Sequence, residues 1–345
     1  MIDEAGTVRV RPMTIPLPGC LSEAAKAQWI RAVFDPPPLD PRLPIAEQRA
    51  AMDRIFYAPR LAAAKALYPA RITSAEMGGV RVDIVEAESD IADRTDDRVL
   101  ICLHGGGFRI GAGMGALLEA IPVASKTGIR TVAIDYRMGP EHEFPAASED
   151  VAAVYRALLQ SHAPGRIGIY GNSAGGVLTA MAAAWFAEQG LPAPGALCIV
   201  SAPADNVWGG DSRYTVLPLV GWPAPAAAPN PPPTGMPYVR PEDLHHPLVS
   251  PALFPEAARG FPPTMFVCGT RDGAVSSAIA SHSRLVAAGV DATLELWEGM
   301  GHGFVFDDVN TPEAIEALEL IARHFEDHLG ARDARQPAPA GSERT

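Results

Sequence analysis

The stretch Gly171-Asn172-Ser173-Ala174-Gly175 limits what this chain can fold into more than any other. It follows Arg166-Ile167-Gly168-Ile169-Tyr170, a short apolar run that reads as a strand, and leads into the alanine-rich residues 177–184, which read as a helix. G-x-S-x-G between a strand and a helix is the setting in which a serine stands exposed on a sharp turn, a nucleophile elbow. The flanking glycines have a physical reason. Side chains there would collide where strand becomes helix, and the serine backbone is itself strained. Such five-residue patterns also arise by chance in loops, so the reading depends on the rest of the chain.

A second segment supports it. His104-Gly105-Gly106-Gly107-Phe108 directly follows the apolar run 99–103. Consecutive glycines let backbone N–H groups converge on one point without side chains in the way, which suits an oxyanion hole. No G-K-[ST] follows to make a phosphate loop, and no G-x-G-x-x-G opens a helix in the right frame. Glycine loop and serine elbow occur together in lipases and esterases, so the pair points to acyl transfer. A serine hydroxyl needs a base, and chain order in this architecture is Ser, then Asp or Glu, then His. Asp272 follows the apolar run 265–268, and His302 sits in Gly299-Met300-Gly301-His302-Gly303-Phe304 after the alternating run 293–298. Both are expected beyond the C-terminal ends of strands, where open parallel sheets place their sites. His302 is the expected base and Asp272 the expected orienting acid. Asp205, Asp307 and Asp308 are weaker rivals for the acid, and His104 is expected to position the glycine loop.

Further segments match a known family. They are Asp135-Tyr136-Arg137-Met138-Gly139-Pro140-Glu141-His142, His246-Pro247-Leu248-Val249-Ser250-Pro251 and Gly269-Thr270-Arg271-Asp272, besides the loop, the elbow and the histidine segment. With these the chain resembles the bacterial carboxylesterase branch of the hormone-sensitive lipase-like α/β-hydrolases over residues 75–329. The resemblance implies a triad of Ser173, Asp272 and His302, with the N–H groups of Gly106, Gly107 and Ala174 as oxyanion hole. It also implies an α/β-hydrolase fold: a mostly parallel central sheet, helices on both faces and a helical cap. Pairing of two copies through the edge strand 293–297 is a further implication. Asn172 stands where the family more often has Asp or Thr, and Gly139 where it often has Ala. Asp135, Arg137 and Glu141 are expected to form a buried, mutually paired scaffold under the glycine loop, because buried charges need partners.

The chain has 345 residues, 48% of them hydrophobic, enough for one large α/β domain with a cap. Short apolar runs at 80–86, 99–103, 131–135, 167–170, 196–201, 264–268 and 293–297 alternate with helical stretches at 148–160, 174–189 and 313–328. Two regions interrupt the alternation. Residues 1–75 are proline-rich, with helical pieces at 23–34 and 46–67, and residues 205–248 include Trp208, Trp222 and an alanine–proline stretch at 224–233. Both are expected to build the cap, with the hydrolase core at 76–204 and 249–330 and a disordered tail at 331–345. A net charge of −12 argues against nucleic acid or an anionic membrane surface as partner. Neither a leader nor a membrane-spanning run is apparent. The four cysteines lack C-x-x-C spacing, so a cytoplasmic protein without disulfides is expected.

The expected reaction is hydrolysis of a small carboxylic ester of short to medium acyl length, or a lactone, through an acyl-enzyme. No metal or other cofactor is expected. The adjacent His245 and His246 do not share a helical face, and two ligands alone do not complete a site. Phe108, Trp208 and Trp222 are the candidates for lining the substrate pocket. Two other readings stay open: an amidase or peptidase with the same triad, and a small-molecule receptor on a hydrolase scaffold.

Overall fold

In the computed structural model, residues 8, 12–34, 40, 42–88, 96–221 and 238–330 are described. Eight strands form one sheet: β1 (Ala70–Met77), β2 (Val80–Ala87), β3 (Val99–Leu103), β4 (Arg130–Ile134), β5 (Ile167–Asn172), β6 (Ala196–Val200), β7 (Thr264–Arg271) and β8 (Ala292–Gly301). Their order is β1-β2-β4-β3-β5-β6-β7-β8. β2 runs antiparallel to both of its neighbours, and every pairing from β4 through β8 is parallel.

The central strands are apolar at successive positions because helices cover both faces of the sheet. Alternation then sends neighbours to opposite sides. Val99, Ile101 and Leu103 of β3 join Ile167 and Ile169 of β5 and Leu197 and Ile199 of β6 in one core layer. The helices Ala146–Leu158 and Ala174–Glu188 supply the rest of that layer. Leu100, Cys102, Tyr170, Cys198 and Val200 face the other layer, under the helices Met114–Thr127 and Pro312–His328. Cys102, Cys198 and Cys268 are buried free thiols, and Cys20 is free and exposed.

The seven apolar runs read from sequence are all strands. Three elements escape that reading. β1 carries few large apolar residues and is half exposed at the sheet edge, so its alternation is faint. Met114–Thr127 is buried around much of its circumference and has Pro122 inside it, which blurs a helical period. The helix Val275–Ala287 is rich in Ala and Ser, with Ile279 and Val286 left exposed. The single helix expected at 46–67 is three pieces, with a π-helical turn at Asp53–Tyr57 between Ile45–Met52 and Ala58–Leu67.

β3 connects onward to β4 on one side, while β5 lies on its other side. Connections diverge there, opening a crevice at the carboxyl ends of the strands, the usual place for a ligand in such a sheet. The loop after β3 and the turn after β5 both face it. Trp222, residues 224–233 and the tail at 331–345 lie outside the described residues. Among the described residues no helix is long and apolar enough to cross a membrane.

Candidate active site

Ser173 occupies the turn between β5 and the helix Ala174–Glu188, with φ 54° and ψ −117°. That conformation costs a non-glycine residue about 1–3 kcal/mol and persists only where its surroundings enforce it. The enforcement is visible. Ser173 N–H donates to Val200 O of β6 at 2.8 Å. Gly175 presses so closely on the end of β3 that a Cβ there would overlap the Leu103 carbonyl. Elbow and glycine loop are therefore held together as one unit.

Ser173 Oγ lies 2.9 Å from His302 Nε2. On the other side of the ring, His302 Nδ1 is 2.8 Å from Asp272 Oδ1. A carboxylate can only accept, so Nδ1 carries the proton and Nε2 presents its lone pair to the serine hydroxyl. Asp272 is fully buried and Ala274 N–H also donates to its Oδ1 at 2.8 Å. Burial favours the neutral imidazole of His302, but the Asp272 charge, its hydrogen bond and the more distant Asp307 outweigh this and raise the pKa above its ordinary value. The imidazole edge stays reachable, with 47% of the side chain exposed. Ser201, at the end of β6, accepts from Gly303 N–H at 2.9 Å and so steadies the histidine loop.

The three rivals for the acid are engaged elsewhere. Asp205 lies against Ser281 and Arg284, Asp307 against Arg60, and Asp308 against Arg31.

Gly106 takes φ 116° and Gly107 φ 64°. Among the described residues, the N–H groups of Gly106, Gly107 and Ala174 donate to no protein acceptor. Donors left free beside a nucleophile are what an oxyanion would use. The loop is held from beneath by Glu119, in Met114–Thr127, whose Oε1 accepts from Gly105 N–H at 3.0 Å and from Asn172 Nδ2 at 3.2 Å. Burial pushes the Glu119 carboxyl up to about 8, against the pull of those two hydrogen bonds. His104 stacks on Tyr136 with centroids 4.3 Å apart, and its Nδ1 meets Gly105 O at 2.7 Å. Burial lowers its pKa to about 4, so it is a neutral strut under the loop.

In front of Ser173 is a cavity of about 780 Å³. Trp29, Ala32 and Val33 of the helix Glu23–Phe34 line one part, and Trp208, Leu217 and Val220 another. Trp208 lies with its ring centroid 6.3 Å from that of His302. Phe108 requires a correction. It is 0% exposed, stacks on Tyr238 at 4.5 Å within the core and is not among the side chains that line the cavity. Trp222 is outside the described residues. The scaffold expected from Asp135, Arg137 and Glu141 is also corrected: the three do not pair with one another. Arg137 binds Asp150 and Glu149, Glu141 binds Arg49, and Asp135 faces Arg81. Glu119, Ser201 and Arg213, which also lines the cavity, went unread in the sequence. Ser201 alone had a positional signal, since it ends a central strand. Among the described residues no group of three His, Cys, Asp or Glu side chains is arranged to hold a metal ion.

A family model described as alpha/beta hydrolase fold matches residues 100–306. An acetyl-hydrolase of Streptomyces hygroscopicus is 31% identical over 234 residues, covering 66% of this chain and 75% of the relative. The solved structure of an esterase superposes with a TM-score of 0.77 at 28% identity, covering 94% of this chain and 99% of the other. A solved esterase from the bacterial hormone-sensitive lipase family gives a TM-score of 0.71 at 27% identity, covering 89% and 97%. Fold, sheet order and sequence similarity agree: the chain belongs to the α/β-hydrolases, in their hormone-sensitive lipase-like family.

Proposed function

We propose that the chain is a serine carboxylesterase acting on esters of short to medium acids through an acyl-enzyme. The observation that carries this reading is the continuous relay Ser173 Oγ–His302 Nε2 and His302 Nδ1–Asp272 Oδ1, at 2.9 and 2.8 Å, beside three unused N–H donors. His302 removes the hydroxyl proton as Ser173 attacks the ester carbonyl. Gly106, Gly107 and Ala174 hold the developing oxyanion. Collapse of the tetrahedral intermediate expels the alcohol, which takes the proton from His302. Water, deprotonated by the same imidazole, then releases the acid and restores Ser173. Asp272 keeps the ring in the tautomer this needs.

The names of the relatives, acetyl-hydrolase and esterase, support the same chemistry. The largely apolar cavity suits a short acyl chain, and the described parts of the proposed cap that line it are the helix Glu23–Phe34 and residues 208–220. Association of two copies through the open edge of β8 belongs to the same proposal. Ser173→Ala is expected to lower kcat for p-nitrophenyl butyrate by about 10⁴–10⁶-fold while the circular dichroism spectrum stays that of the parent. Turnover within tenfold of the parent would overturn the mechanism.

A further inference from the structure

The cavity in front of Ser173 is apolar over most of its wall, yet two guanidiniums line it. One is occupied: Arg271 Nη2 donates to Pro16 O at 2.5 Å, and its Cζ lies 5.3 Å from the Trp29 ring centroid. Arg213 is not. It is 9% exposed, and among the described residues its side chain has neither a carboxylate nor a hydrogen-bond acceptor. Buried cations are as a rule paired, because an uncompensated charge loses its hydration with nothing in return.

The backbone that carries Arg213 is held in place. Ser212 Oγ donates to Gly273 O at 2.7 Å, and Ser212 N–H donates to Ser276 Oγ at 2.9 Å. These clamp the short helix Ser212–Thr215 to Gly273, next to Asp272, and to the start of the helix Val275–Ala287. The carboxylates lining the cavity are both engaged, Asp272 with His302 and Asp307 with Arg60 and Gln28. Among the described residues, no carboxylate of the cavity is therefore turned to Arg213.

We propose that Arg213 receives an anionic group of the substrate, so that this site takes esters carrying a carboxylate within reach of the same cavity. The proposal rests on the ester-hydrolase reading and names its substrate class. A guanidinium binds a carboxylate through two parallel hydrogen bonds, which fixes orientation as well as affinity. The carboxylate can sit on the acyl side, as in a half-ester of a dicarboxylic acid, or on the alcohol side, as in an acylated hydroxy acid.

Rates measured by pH-stat separate these cases. Monoethyl adipate is compared with ethyl hexanoate for the acyl side, and 4-acetoxybutyrate with butyl acetate for the alcohol side. In the parent enzyme the anionic ester is expected to exceed its neutral partner in kcat/KM by about tenfold or more on one arm, chiefly through KM. Arg213→Gln is expected to collapse that ratio by about 10–100-fold, and Arg213→Lys to retain part of it. A parent ratio at or below one on both arms, or a ratio unchanged in Arg213→Gln, overturns the proposal and leaves the esterase reading standing. If the variants fail to fold, inhibition of the parent decides: adipate is expected to compete more strongly than adipamide, and equal or weaker competition by adipate overturns the proposal. Absence of Ser173-dependent turnover of all four esters would remove the esterase reading itself.

Discussion

His302 shows how much a single neighbour decides. As the proposed base, His302 works only when neutral, so kcat/KM is expected to fall as pH drops through its pKa. Because Asp272 raises that pKa, the acid limb is expected to have its midpoint above the ordinary histidine value of 6.5. Asp272→Asn removes the charge that favours imidazolium, so the midpoint should move down while the rate falls by about 10³–10⁴-fold through loss of the correct tautomer. A pH–rate profile for the pair of enzymes checks both, and an acid limb unmoved in the variant would contradict the assignment. The sequence points to Ser173, His302 and Asp272 because each follows an apolar run, and the structure brings the three side chains together at the carboxyl ends of those strands. Phe108 was misread for an equally local reason. A ring beside a glycine loop can turn to either side, and here it packs on Tyr238 rather than into the cavity. Arg213 belongs to no repeat or motif, so nothing in its neighbourhood distinguishes it from a surface arginine.

At the scale of an element, the helix Met114–Thr127 does more than cover the sheet. It carries Glu119 beneath the glycine loop, beside Cys102 and Tyr170, with a carboxyl oxygen, Oε2, that has no hydrogen-bond partner. Its folded-state pKa of about 8 lies above the value of an exposed glutamate. Stability from this group is therefore fully present below the unfolded pKa of about 4 and is lost as pH rises through the folded value. Between pH 5 and pH 8.5 the parent is expected to lose up to a few kcal/mol through this carboxyl, and Glu119→Gln to lose markedly less. Urea unfolding at the two pH values tests this; equal losses in both proteins would sink it. Gly175 ties the helix Ala174–Glu188 to the end of β3, and Gly175→Ala is expected to cost about 1–3 kcal/mol or more, read in the same titration. The strands were legible as elements because burial on both faces leaves an unbroken apolar run. The helix bearing Glu119 was not, because that same burial removes the polar stripe by which a helix is recognised.

For the whole molecule, the proposed function makes the cavity the part that bounds which esters are accepted. Each acyl methylene placed against Trp29, Val33 and Leu217 gains roughly 0.8 kcal/mol until the wall is reached. Turnover of neutral p-nitrophenyl esters is expected to rise with chain length and then fall, with its maximum at about two to eight carbons. Rates still climbing at palmitate, with activation at an oil–water interface, would identify a true lipase instead. The two walls of this cavity come from the helix Glu23–Phe34 and from residues 208–220, neither of which adds a strand to the sheet. Ser173, His302 and Asp272, by contrast, all stand on loops anchored in strands. Substitutions in those walls are therefore expected to change which esters enter while leaving the Ser173–His302–Asp272 relay in place.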